Sequence, residues 1–137
     1  MQNKTAAYAV FALGLIWAAG CSQSDDKLII PGERVGPYRL QQPRSKIHGG
    51  DPNAYTHPAA KGLLLSFEAE RVSVITVCSP DYHTDRGLKF GSATNEVIVY
   101  HGQPDQITNG IMVYQKLGIE FHCLDGKVGI INVLDKK

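Results

Sequence analysis

Two stretches of the chain follow one pattern, and this duplication constrains the fold more than any other feature. The stretch GLLLSFEAERVSVITV, residues 62–77, aligns without gaps on GIEFHCLDGKVGIINV, residues 118–133. Each stretch contains two runs that favour β-strands, with a turn between them. A single hairpin buries too little apolar surface to be stable alone. The two copies are therefore expected to share one sheet and one core.

The turns predict which side chains of each hairpin point into the core. Asp125-Gly126 is a strong signal for a two-residue hairpin turn, and Ala69-Glu70 is its counterpart in the first copy. Closing the second hairpin there predicts the inward pairs Cys123–Val128, Phe121–Ile130 and Ile119–Asn132, with Glu120 and His122 on the other face. The first hairpin gives the pairs Phe67–Val72, Leu65–Val74 and Leu63–Thr76. Phe67 and Phe121 are thus expected in similar surroundings.

The segment before each hairpin predicts a helix that covers it. SATNEVIVYH, residues 92–101, starts with a capping residue at Ser92 and stops before Gly102. In the first copy QPRSKIHGG, residues 42–50, takes this place, and Pro43 fits a first helical turn. The expected fold class is therefore α+β. Residues 31–137 would form a single domain of two tandem helix-plus-antiparallel-hairpin repeats, 31–79 and 86–135, that share an antiparallel sheet.

The first residues have the layout of a bacterial export signal. A single cation, Lys4, precedes an apolar run from about Ala6 to Trp17. A spanning helix needs about 20 apolar residues, so a permanent transmembrane anchor is the weaker interpretation. Residues 1–20 are therefore predicted to be a cleaved signal peptide.

The residues that follow the apolar run indicate where the mature chain is held. Ala18, Ala19 and Gly20 directly before Cys21 resemble the lipobox of bacterial lipoproteins, whose cysteine receives a diacylglycerol and, after cleavage, an N-terminal acyl chain. The resemblance implies lipidation of Cys21 and a membrane anchor, with residues 21–30 as a lipidated tether. Ser22 resembles the sorting pattern for the outer membrane, facing the periplasm. A secreted form and an uncleaved segment are the alternatives, because Ala18 stands where Leu is usual.

Composition excludes one class of partner. The chain has 14 Lys and Arg against 13 Asp and Glu, and they form no basic stripe. A nucleic-acid binder would need such a stripe, so nucleic acid is not an expected partner.

Two cysteines, Cys78 and Cys123, remain beside the lipidation site. An exported compartment is oxidising, so a disulfide between them is chemically allowed. The sequence does not supply the distance that a bridge requires, and two buried free thiols are the alternative.

The second copy carries the resemblance to known families. Its pattern of GLKFGSATNEV, then GQP, GIEF and DGKVGIINV resembles the repeat of the SmpA/OmlA (BamE-like) outer-membrane lipoproteins and of the β-lactamase inhibitory protein-like (BLIP-like) fold. The first copy resembles it weakly. The resemblance implies a non-catalytic module that binds other proteins, as an assembly scaffold or as an inhibitor. It names no partner.

Two loops contain candidate partner-binding residues. Tyr55 and His57 lie in the loop at residues 51–62, and Tyr82 and His83 lie in the segment that joins the copies. If these loops share a rim, the four residues form an aromatic and imidazole patch of the kind that interfaces use.

The joining segment also contains ligand types for a divalent metal, Asp81, His83 and Asp85, without the spacing of a calcium loop. A polar linker is the favoured interpretation, and no metal site or cofactor is predicted. Catalysis has no support, because neither cysteine has the electropositive, exposed setting of a nucleophile.

The predicted function is a membrane-anchored periplasmic lipoprotein that acts as a protein-binding module in the cell envelope. The alternatives are an inhibitor of a periplasmic or foreign enzyme and a small-ligand or metal-binding carrier.

Overall fold

The structure, a computed structural model, describes residues 27–48 and 56–137, which form eleven β-strands and one α-helix. The strands are β1 (Leu28–Ile30), β2 (Arg34–Val35), β3 (Tyr38–Arg39), β4 (Thr56–Ala60), β5 (Leu63–Glu68), β6 (Arg71–Val77), β7 (His83–Thr84), β8 (Gln106–Thr108), β9 (Ile111–Tyr114), β10 (Ile119–Leu124) and β11 (Lys127–Leu134). The helix, α1, spans Thr94–His101, and a 3₁₀ turn spans Arg44–Lys46.

The chain is already folded at Leu28, within the stretch predicted as a tether, because β1 pairs with two other strands. The predicted signal peptide and Cys21 lie outside the described residues.

The prediction of an α+β fold built from two helix-plus-hairpin repeats is wrong. The described chain is mostly β, with one helix where two were expected, and its strands form two sheets. The larger is a seven-stranded antiparallel sheet in the order β4-β5-β6-β11-β10-β9-β8. The smaller has the order β3-β2-β1-β7, in which β1 and β7 run parallel.

The first predicted helix does not form, because the backbone becomes extended again a few residues after Pro43. Only one 3₁₀ turn forms after Pro43, and Ile47 is already extended, with φ −103° and ψ 121°. The second segment has eight helical residues before Gly102, whose φ of 78° suits a glycine at a helix end. Ser92 does not cap this helix. Its hydroxyl accepts a hydrogen bond from the Lys89 N–H at 3.0 Å.

The hairpins pair as predicted only near their turns. Cys123 lies opposite Val128 and Phe67 opposite Val72, as expected. A β-bulge then shifts the register by one residue in each hairpin, between His122 and Cys123 and between Ser66 and Phe67. The predicted pairs beyond these points, such as Phe121–Ile130 and Leu65–Val74, are therefore wrong.

The shifted register decides which β11 and β6 residues enter the core. Phe121 lies opposite Ile131, and Leu65 lies opposite Ile75. All four of these side chains are fully buried. Asn132 was expected inside, yet it lies on the other face.

The two hairpins and their preceding strands form two similar three-stranded units, the N-terminal meander (β4–β6) and the C-terminal meander (β9–β11). They meet where β6 pairs with β11, and Thr76 lies opposite Asn132. On either side of that pair, Ile75 faces Val133 and Val77 faces Ile131. Thr76 and Asn132 are equivalent in the duplicated sequence, so the contact relates the meanders by a local two-fold axis.

The pairing of β6 with β11 covers four residues of each strand, and other segments pair with the rest of the two edges. The Gln41 N–H donates to the Val72 carbonyl at 2.8 Å, and the Gly91 N–H donates to the Val128 carbonyl at 2.7 Å. Pro43 forms a bridge with Arg71 in the same way as Ala93 does with Lys127. Both segments thereby satisfy backbone groups of β6 and β11 that the neighbouring strand does not reach.

The core lies on one face of the seven-stranded sheet. It consists of Ile29, Val35, Leu63, Leu65, Val72, Ile75, Val77, Tyr82, Leu88, Val97, Met112, Tyr114, Ile119, Phe121, Val128, Ile131 and Val133. Residues from the small sheet and from α1 belong to this set, so these elements cover that face.

The expectation that Phe67 and Phe121 share similar surroundings is also wrong. Phe121 is fully buried in the core beside Tyr114 and His101. Phe67 is half-buried, and the Arg44 guanidinium lies 4.0 Å from the centre of its ring.

Candidate binding face of the central sheet

The face of the seven-stranded sheet that points away from the core carries a distinct set of side chains, which we call the open face. Strand alternation and the observed register assign to it Leu64, Ser66, Val74, Thr76, Ile111, Val113, Glu120, His122, Ile130, Asn132 and Leu134. All are half-buried, and none belongs to the core or packs against it. The open face is therefore a surface, partly apolar, on which no described element lies.

One continuous row of outward residues runs across every strand of the sheet, and its exposed ends, Pro58 and Gln106, extend beyond the open face. The residues directly opposite one another are Pro58, Leu64, Thr76, Asn132, Glu120, Val113 and Gln106. Polar residues occupy the middle of this row and apolar residues flank them. Glu120 and His122 are the ionisable members of the open face.

Four of these side chains form a hydrogen-bonded cluster, which we call the central cluster. The Thr76 hydroxyl donates to Asn132 Oδ1 at 2.8 Å. Asn132 Nδ2 lies 3.3 Å from Glu120 Oε2 and 3.1 Å from His122 Nε2. His122 Nε2 lies 3.4 Å from the same Glu120 oxygen. The cluster thus joins β6 of the N-terminal meander to β10 and β11 of the C-terminal meander.

The sequence contains a signal for this cluster, although the predicted hairpin register placed Thr76 and Asn132 in the core. Thr76 and Asn132 are the polar residues that interrupt the apolar runs VITV and IINV at equivalent places. Glu120 and His122 were correctly placed on the outer face. The bulge between His122 and Cys123 hid the fact that Asn132 joins them.

The predicted aromatic and imidazole patch does not lie on an exposed rim. Tyr82 is 4% exposed and His57 is 8% exposed, so both are part of the interior. His83 is half-buried in β7, and its backbone N–H donates to the Lys27 carbonyl at 3.0 Å. Tyr55 lies outside the described residues. Partner binding by these four residues stays a prediction, although the buried side chains offer a partner little surface.

Tyr82 and His57 instead contact other parts of the fold. The Lys27 ammonium lies 4.7 Å from the centre of the Tyr82 ring, which is a cation–π distance. His57 lies opposite Leu65 on β5, on the side of the sheet that faces the core.

The candidate metal ligands Asp81, His83 and Asp85 do not come together. Within residues 27–48 and 56–137, no three His, Cys, Asp or Glu side chains are placed to hold a metal ion. Asp81 and Asp85 are exposed, and the Asp81 N–H donates to the Ser79 hydroxyl at 3.2 Å.

Cys78 and Cys123 are free thiols. Cys78 follows β6 and Cys123 lies in β10, and β11 runs between them. Two strand spacings amount to about 9.5 Å, which exceeds the roughly 7 Å limit between Cα atoms for a disulfide. Cys78 is exposed, contrary to the expectation of two buried thiols.

A second group of titratable side chains, His101 at the end of α1 and Tyr114 on β9, lies on the core side of the sheet. The His101 ring is 5.5 Å from the Tyr114 ring and 5.7 Å from the Phe121 ring, centre to centre. Burial lowers the pKa of His101, and the nearby Asp85 carboxylate partly opposes this. Burial also raises the pKa of Tyr114, whose hydroxyl donates to the Gly102 carbonyl at 2.8 Å. Both side chains are therefore favoured in their neutral forms.

Comparisons with protein-family models, with curated proteins and with solved structures found no match. The likeness to the SmpA/OmlA or BLIP-like families therefore stays a prediction. In the part of the chain that the structure describes, no helix has the length and apolar character needed to cross a membrane.

Proposed function

We propose that this chain is a non-catalytic protein-binding module that uses the open face to bind a partner protein. The observation that carries the proposal is a seven-stranded sheet with a half-buried, largely uncharged face opposite its core. Apolar side chains surround a polar, hydrogen-bonded centre on this face. A partly apolar surface with few charged residues has the composition of the buried part of protein interfaces.

The size of the open face supports a reversible complex. Seven strands about 4.8 Å apart, with rows of outward side chains about 7 Å apart, give a face on the order of 500 Å². A standard interface covers about 800 Å² per partner, and smaller ones are typical of transient complexes. The open face is thus large enough for a transient partner and small for a permanent one.

The central cluster lacks the arrangement of a catalytic site. The Thr76 hydroxyl donates to Asn132 and not to His122, so no base is placed to activate it. Cys78 is exposed at the end of β6, separated from His122 by β11. These contacts favour binding over catalysis.

A pair of identical substitutions tests the binding face. Val74 lies in the middle of the open face, whereas Val99 lies on α1 and is 77% exposed. Val74→Lys puts a charge where an interface would bury it and should lower partner affinity at least about tenfold, since an unpaired buried charge costs several kcal/mol. Val99→Lys should leave the affinity unchanged.

The measurement is quantitative capture from detergent-solubilised envelopes by the wild-type, Val74→Lys and Val99→Lys proteins, each shown to be folded. A protein retained by the wild type and Val99→Lys but lost by Val74→Lys supports the proposal. Equal capture by all three variants would assign binding to another surface.

The membrane address is proposed on the sequence alone. Cys21 would carry the lipid, and the folded residues would lie in the periplasm, held at the outer membrane. Mass spectrometry of the mature N-terminus should show a cysteine that carries a diacylglycerol on its sulfur and an acyl group on its amine. Cys21→Ala should move the protein to the soluble fraction, and continued membrane association of this variant would contradict the anchor.

A further inference from the structure

Glu120 differs from every other acidic side chain that the structure describes. It lies on β10 in the middle of the open face, and its side chain is 25% exposed. All other Asp and Glu residues within 27–48 and 56–137 are exposed. A carboxylate loses hydration when a surface closes over it, and this loss is costly unless the charge is paired. Glu120 is therefore the acidic group for which a compensating partner matters most.

The contacts within the chain engage only one oxygen of the Glu120 carboxylate. Asn132 Nδ2 lies 3.3 Å from Oε2, and His122 Nε2 lies 3.4 Å from the same atom. Both distances are long for hydrogen bonds. Among the described residues, no Lys or Arg pairs with this carboxylate, and Oε1 has no hydrogen-bond partner. The neighbours thus hold the side chain in place and leave Oε1 able to accept from a second molecule.

Apolar side chains surround this carboxylate on the open face. Val113 lies directly opposite Glu120 on β9, and Ile111, Ile130 and Leu134 lie at diagonal positions of the two neighbouring strands. Diagonal neighbours are within reach of long side chains. A protein docked on these residues would exclude water from Glu120. A purely apolar partner would then leave a buried charge unpaired, which is strongly unfavourable.

We propose that the partner of the open face presents an arginine that pairs with Glu120, with apolar side chains around it. This inference rests on the proposed function and names the chemistry of its partner. Arginine fits this site better than lysine, because its guanidinium is weakly hydrated and is enriched at interfaces, where lysine is depleted. Its N–H groups donate to Oε1, and its aliphatic stem packs on the neighbouring apolar side chains.

Two peptides that differ by one charge test the arginine assignment on the full-length protein. Acetyl-Leu-Ser-Arg-Ser-Leu-amide places its arginine and both leucines on one side when it is extended. Its twin carries citrulline, which has nearly the same shape and no charge. The citrulline peptide should bind the wild-type protein about tenfold more weakly, because it loses a hydrogen bond between charged groups. NMR titration measures both affinities, with the Glu120 carboxylate carbon as the reporter. Equal affinities, or no measurable binding of either peptide, would overturn the proposal.

Matched variants locate the charge that the arginine recognises. Glu120→Gln keeps the size of the side chain and removes its charge, whereas Glu96→Gln removes the same charge from an exposed position of α1. The preference for the arginine peptide should disappear in Glu120→Gln and persist in Glu96→Gln. A preference that persists in Glu120→Gln would contradict the pairing. The comparison of the two peptides on the wild-type protein needs no variant and so does not depend on how Glu120→Gln folds.

Capture from detergent-solubilised envelopes separates this inference from the proposed function. A protein that Val74→Lys fails to retain should also be lost by Glu120→Gln and retained by Glu96→Gln. If Glu120→Gln retains it at the wild-type level while Val74→Lys loses it, the open face remains the binding surface and the arginine assignment is wrong. Retention by both Val74→Lys and Glu120→Gln would contradict the proposed function, and this inference with it.

Discussion

The N-terminal and C-terminal meanders carry a β-bulge at the same position and close on turns of the same handedness, yet different elements cover them. The C-terminal meander lies under α1, and Phe121 is sealed between Tyr114 and His101. The N-terminal meander faces the small sheet and a single 3₁₀ turn, whose Arg44 lies on Phe67. The two meanders share one core. The repeated backbone plan therefore fixes the strand pairing, while the elements that cover each meander come from different segments.

The largest expected difference between the meanders lies at their phenylalanines. Phe121→Ala should cost about 3–5 kcal/mol of unfolding free energy, as expected for a fully buried aromatic ring. Phe67→Ala should cost about 1–2 kcal/mol, since it removes a half-buried ring and one cation–π contact. Urea unfolding measures both, and Phe121→Leu serves as a milder variant if Phe121→Ala does not fold. Equal losses would show that the two halves are packed alike.

The hairpin turns give the next largest difference. Gly126 has φ 76°, whereas its counterpart Glu70 holds φ 63° and Ala69 holds φ 49°. For residues other than glycine, this left-handed conformation costs about 1–2 kcal/mol of folding free energy. Gly126→Ala should therefore destabilise the protein by about 1 kcal/mol, and Ala69→Gly should stabilise it by up to about 1 kcal/mol. A destabilised Ala69→Gly in urea unfolding would contradict the turn assignment.

The smallest expected effect is a pH dependence from His101, the last residue of α1, which packs on the C-terminal meander. Burial lowers the pKa of His101, so the unfolded chain binds this proton more readily than the folded one. The stability from neutral His101 is complete above about pH 6.5 and is lost as the pH falls through the folded pKa. His101 Nε2 is buried and meets no hydrogen-bond partner among the described residues, so a Phe of similar shape removes no such bond.

His101→Phe should therefore lose less stability than the wild type between pH 7 and pH 5, measured by urea midpoints at each pH. His48→Phe, at an exposed position of the first half, is the control and should keep the wild-type slope. A wild-type slope in His101→Phe would contradict the assignment.

The sequence predicts the strand content of the hairpins well and their register only in part. The runs RVSVITV and KVGIINVL become β6 and β11, and both turns form where they were expected. Bulges leave little mark on a sequence, because one extra residue keeps the local composition unchanged. A single bulge in each hairpin was enough to exchange the inward and outward residues of β6 and β11 beyond the turns.

The small sheet and the candidate face were beyond the reach of local patterns. β1 pairs with β7, whose residues are more than fifty positions away, and both strands are too short to give a periodic signal. His57 and Tyr82 are buried, and they lie in β4 and directly before β7, two strands within segments interpreted as loops. The open face follows from which elements cover the other side, and only the three-dimensional arrangement shows that.

The central claim is that the face of the sheet around Thr76 and Asn132 is the binding surface. A photo-crosslinking side chain placed at Val74 in the full-length protein, within intact envelopes, measures this most directly. The same probe at Val99 on α1 is the control. We predict a discrete adduct from position 74 and none from position 99. No adduct at position 74, or the same adduct at both positions, would contradict the claim.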